Sequence, residues 1–89
     1  MHIFPDDTIA NLNAANAAMR HGDLSRAERY LKKAGDSAEA VYARGALAIR
    51  KEEYDSARPY LIEAKEMGLR EAAVTLDELD KGKRISVKN

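Results

Sequence analysis

The sequence predicts an all-α protein, and three observations predict it. Alanine, which costs least in a helix, is abundant, and β-branched residues are few. No Val/Ile/Thr-rich stretch alternates in the way a half-buried strand requires. Apolar residues recur instead at three- and four-residue spacing, between glycines that punctuate the runs.

Five helices follow in order. The first is expected over residues 8–21, where Ile9, Leu12, Ala15, Ala18 and Met19 share a face, Thr8 or Asp7 caps the start and Gly22 stops it. The second covers 24–34, with Asp23 as N-cap, a stripe of Leu24, Ala27, Leu31 and Ala34, and Gly35 as the stop. The third starts at Asp36 or Ser37, where Asp36 and Glu39 have capping-box spacing, and runs through Val41, Tyr42, Gly45, Leu47, Ala48 and Ile49 to about Lys51. The fourth covers 55–67, with Tyr54, Ala57, Leu61 and Ala64 inward and Gly68 as the stop. Pro59 is placed at the edge of its first turn, where it removes at most one helical hydrogen bond. The fifth covers 69–81, with Ala72, Ala73, Val74, Leu76 and Leu79. Lys81-Gly82-Lys83 ends it and leaves a frayed polar tail at 83–89.

Fifteen basic and fifteen acidic residues cancel, so no overall field draws the chain to nucleic acid or anionic lipid. The absence of Cys excludes disulfides, thiol catalysis and thiolate zinc sites. No apolar run approaches the roughly 18 residues of a membrane span, so direct insertion is not expected.

The chain overlays on itself at a shift of thirty residues. Leu12 meets Tyr42, Ala15 meets Gly45, Ala18 meets Ala48, Met19 meets Ile49, Ala27 meets Ala57, Leu31 meets Leu61 and Ala34 meets Ala64. A shift of thirty-two brings Glu39-Ala40 onto Glu71-Ala72 and Leu47 onto Leu79. The expected organisation is the end of a preceding repeat at 1–7, one unit at 8–35, a second at 36–68, a capping half-unit helix at 69–82 and the tail.

Gly22-Asp23-Leu24-Ser25-Arg26-Ala27-Glu28-Arg29-Tyr30-Leu31 resembles the turn and second helix of a tetratricopeptide repeat, as does Glu53-Tyr54-Asp55-Ser56-Ala57-Arg58-Pro59-Tyr60-Leu61. Ala15 or Gly45 and Ala27 or Ala57 match the small residues at that family's helix contacts, and Leu31 and Leu61 match its large ones. The usual Trp is replaced by Asn11 and Val41, and the first unit is one helical turn shorter than the family's period of about thirty-four. The segment 63–72 also resembles the related Sel1-like repeats. The resemblance implies about two and a half repeats stacked as a short right-handed superhelix. Ile3-Phe4-Pro5-Asp6-Asp7 reads as a closing turn, which implies a fragment of a longer, bacterial protein with an added Met1. The 4–15 segment resembles repeats attached to cell-envelope proteins.

No catalytic centre is expected. His21 reads as a C-terminal cap of helix one, where a cation suits the helix dipole, no His and carboxylate cluster has metal-ligand spacing, and no Ser has a His placed to activate it. No glycine-rich phosphate loop occurs, and no cofactor is expected. Lys81, Lys83, Arg84 and Lys88 lack the interleaved aromatics of a nucleic-acid surface. The expected function is therefore a non-catalytic scaffold holding a peptide or protein. By the resemblance, its concave groove is lined by Leu12, Asn16, Met19, Tyr42, Ala46, Ile49, Val74 and Glu78. Asn13 and Asn16 suit a peptide backbone, whereas the family's carboxylate-tail positions match only at Asn16. The alternative is a structural spacer, or a self-association module pairing through the uncapped face of helix five (Val74, Leu76, Leu79).

Overall fold

The same backbone turn is used three times to reverse the chain. In the computed structural model, which describes residues 8–88 and the side chains of residues 8–81, the elements are α1 (Thr8–Arg20), α2 (Leu24–Lys32), α3 (Ala38–Arg50), α4 (Tyr54–Glu66) and α5 (Arg70–Lys88). No strand occurs among the described residues. After α1 the Asp23 amide donates to the Ala18 carbonyl (2.9 Å) and the Gly22 amide to Met19 (3.0 Å). After α3 the Glu53 amide donates to Ala48 (2.8 Å) and Glu52 to Ile49 (2.9 Å). After α4 the Leu69 amide donates to Ala64 (3.1 Å) and Gly68 to Lys65 (2.9 Å). Each pair is a Schellman cap, which satisfies carbonyls that the helix end leaves free and needs a left-handed residue at its centre. Gly22 (φ 82°) and Gly68 (φ 99°) meet that need at no steric cost, whereas Glu52 (φ 61°) meets it with a side chain attached.

Helix starts and ends differ from the sequence expectation by a residue or two, with local causes, except at the end of α5, which runs seven residues further. Ser37, not Asp36, caps α3: its hydroxyl accepts from the Ala40 amide (3.2 Å). The Asp36 carboxylate instead meets Arg44 (3.3 Å). Asp23 caps α2 as expected, accepting from Arg26. Pro59 lies inside α4, beyond the first turn that begins at Tyr54, so its missing N–H leaves the Asp55 carbonyl without its helical partner. Helix α5 does not stop at Gly82 but continues to Lys88. A single glycine costs a helix only about 1 kcal/mol and does not end it. The expected closing turn and added start residue at 1–7 lie outside the described residues.

Small residues set the packing. Ala15, Ala27, Ala40, Ala57, Ala64 and Ala72 are all wholly inaccessible, and Leu31 and Leu61 fill the spaces between them. Burying each leucine contributes about 1.5–3 kcal/mol. Ala15 stands where Gly45 stands thirty residues later, and Gly45 has the tighter fit. A Cβ there would lie 2.9 Å from Leu61 Cδ2 and 3.1 Å from Leu61 Cγ, so the glycine lets α3 and α4 approach. Successive helices pack pairwise, and α3 also touches α1. The Gly35 backbone at the end of α2 faces the Thr8 side chain at the start of α1, as antiparallel hairpin geometry requires. The molecule is a slab of 46 × 27 × 17 Å, about two helix layers thick.

Candidate partner-binding groove

Leu12, Asn16 and Met19 occupy one face of α1 at spacings of four and three, and Tyr42, Ala46 and Ile49 do so on α3. The structure divides this set. Met19 is 4% exposed and sits in the cluster of Ala15, Ala18, Leu31, Ala43 and Leu47, so it is a core residue rather than a groove contact. It adjoins Ala18 in sequence and follows Ala15 by one turn, which carries it onto the buried stripe. Leu12 packs against the same cluster while half-buried. Tyr42 packs on Val41, Ala64 and Ala72, and its hydroxyl shares a 2.8 Å hydrogen bond with the Thr75 hydroxyl of α5. That bond ties α3 to α5 and uses the polar end of a side chain expected to meet a partner.

Asn16, Ala46 and Ile49 are half-buried, Glu78 is exposed and Val74 is 52% exposed. Asn13 is exposed. Neither Asn13 nor Asn16 hydrogen-bonds through its side chain within the described residues, so both amides keep their full capacity. Asn11, by contrast, is buried, and every buried side-chain N or O among the described residues has a partner. The apolar face expected on α5 is mostly consumed internally: Leu79 is 7% exposed and Leu76 half-buried, which leaves Val74 alone outside. Val74 and Leu76 are two residues apart and point to different sides of a helix, so the three never formed one face.

A concavity lies elsewhere. A cleft of about 290 Å³ opens between α2 and α4, with α3 as its floor. Leu31, Leu47, Ala48 and Tyr60 give it apolar surface, and Glu28, Lys32, Lys51 and Glu53 rim it. The Lys51 ammonium is held by Glu28 (3.3 Å) and Glu53 (3.8 Å). Arg44 closes one end: its Nη2 donates to the Leu31 carbonyl (2.7 Å) and the Gly35 carbonyl (2.6 Å). The Leu31 carbonyl belongs to the C-terminus of α2, where a cation is favoured, and the Gly35 carbonyl to the turn that follows it. The guanidinium therefore binds the two hairpins together instead of awaiting a ligand. The sequence gives a weak sign of it, a lone cation within an otherwise apolar stretch of α3.

Among the described residues no three His, Cys, Asp or Glu side chains converge to hold a metal ion, and no helix is long and apolar enough to cross a membrane. Lys81, one of the basic residues near the end, pairs with Asp77 one turn earlier (3.2 Å). Comparison of the chain with protein-family models, with curated proteins and with solved structures gave no match.

Proposed function

We propose that the chain is a protein-binding module of tetratricopeptide type, which holds an extended peptide across α1, α3 and α5. One observation carries the reading: the α1–α2 and α3–α4 hairpins use the same turn bonds thirty residues apart, and α3 packs on α1 as well as on α2. Units that repeat their turn and contact their neighbour stack into a curved surface, and such surfaces bind chains along their length. The groups suited to this are Asn13 and Asn16 for the peptide backbone, Ile49 and Val74 for apolar side chains and Glu78 for a basic one. Met19 is not among them, and Tyr42 contributes ring surface only.

The test is selection from a displayed peptide library, with an Ile49→Glu/Val74→Glu variant as counter-selection. Peptides retained by the native chain and lost by the variant support the reading. Failure to enrich any peptide, or equal retention by both proteins, refutes it. Tyr42 is left intact because its hydroxyl joins α3 to α5.

A further inference from the structure

The outer faces of α2 and α4 carry opposite charge. Both helices bury one stripe (Ala27 and Leu31; Ala57, Leu61 and Ala64), and both wall the cleft above α3, so their opposite stripes lie on the same side of the molecule. On α2 and its C-cap that side presents Arg29, Lys32 and Lys33, all exposed. On α4 it presents Asp55, Glu63 and Glu66, also exposed. In the repeat register the sign inverts at one position, Lys33 against Glu63; Arg29, Lys32 and Asp55 correspond to the uncharged Pro59, Ile62 and Ser25, and Glu66 to Asp36. None of these six charges forms an ion pair among the described residues, although Arg26, Glu28, Lys51 and Arg58 do. The stripes cannot meet within one molecule because the cleft separates them. Tyr60 (38% exposed) lines the cleft, and Ile62 (39%), two residues on and so on a different side of the helix, adds apolar surface at the outer face.

We infer that this outer face pairs with a second copy of the chain, α2 of one copy lying on α4 of the other. A two-fold axis running along the cleft places α2 over the partner's α4 and α4 over the partner's α2, so one symmetry operation neutralises both stripes. No other partner is needed to complement a chain whose formal charge is zero and whose two stripes complement each other. Helices of nine and thirteen residues are roughly 14–20 Å long, so the two faces offer roughly 300–400 Å² per copy. That is below the roughly 1,200 Å² total of stable complexes, and the pairing is a transient, salt-sensitive one. The α1, α3 and α5 face stays open, so the inference stands apart from the peptide-binding reading.

The experiment is sedimentation of the full chain from micromolar to millimolar concentration, at NaCl concentrations of about 0.01 M and about 1 M, where the screening length falls from about 30 Å to about 3 Å. The expected result is a monomer–dimer equilibrium at low salt, weakened at least about tenfold at high salt. Two variants, Arg29→Glu/Lys33→Glu and Glu63→Lys/Glu66→Lys, change only exposed side chains and are checked for native helicity by circular dichroism. Each alone is expected to be monomeric, and their equimolar mixture is expected to recover the dimer, since both stripes are then complementary again. A native chain that stays monomeric at millimolar concentration and low salt overturns the inference. So does a dimer that survives in both variants, or a mixture that fails to recover it.

Discussion

Removing the Arg44 guanidinium should weaken the joint between the two hairpins more than any exposed ion pair in the molecule. The side chain is 20% exposed and donates from Nη2 to two backbone carbonyls, Leu31 at 2.7 Å and Gly35 at 2.6 Å. A hydrogen bond to a charged group contributes about 1.5–3 kcal/mol. The two are not additive, because the Leu31 carbonyl also accepts from the Ala34 amide (3.2 Å) and keeps that partner in a variant. The contact to Asp36 adds little, since that carboxylate is 92% exposed. Arg44→Ala should therefore cost about 2 kcal/mol, which for a domain of this size lowers Tm by roughly 8–16 °C. Arg44→Lys keeps the charge but cannot span both carbonyls from one fork, and should lose about half as much. Urea unfolding followed at 222 nm measures all of these. A loss under about 0.5 kcal/mol for Arg44→Ala, or an equal loss for an Asp36→Ala control, would refute the reasoning.

Three further outcomes follow from the backbone. Glu52→Gly should raise stability by about 0.5–1 kcal/mol in the same urea assay, because the turn holds residue 52 at φ 61°. Pro59→Ala should raise it by about 1–3 kcal/mol, since the alanine restores an amide that can donate to the Asp55 carbonyl inside α4. Gly45→Ala should lower it by about 1 kcal/mol net: the new methyl lies 2.9 Å from Leu61 Cδ2, and the gain in helix propensity offsets only part of that crowding. Thermal unfolding ranks the three variants, and a stabilised Gly45→Ala would show that Leu61 moves aside freely.

The helices and their order were legible because the signals are local. Gly22, Gly35 and Gly68 mark left-handed turns, and Ala27, Leu31, Ala57 and Leu61 give the buried stripes directly. The Schellman turn after α3 is not marked, since nothing in Lys51-Glu52-Glu53 announces a left-handed glutamate; only the register with Gly22 hints at it. The continuation of α5 through Gly82 is not legible in the sequence, because glycine weakens a helix without necessarily stopping it. At the candidate site, Asn16, Ala46, Ile49, Val74 and Glu78 keep accessible surface, but Met19 does not. Met19 adjoins Ala18 and lies one turn past Ala15, which carries it onto the buried stripe of α1. Arg44 and Thr75 act across distant parts of the chain, on residues up to thirteen and thirty-three positions away, and periodicity does not report such contacts.

The most direct test of the peptide-binding account is to titrate a library-selected peptide into isotope-labelled protein and map the amide shifts. The account predicts changes at Asn13, Asn16, Ile49, Val74 and Glu78, with Lys32, Ile62 and Glu66 on the outer face unmoved. Shifts confined to the α2–α4 cleft, or spread evenly over both faces, would contradict it.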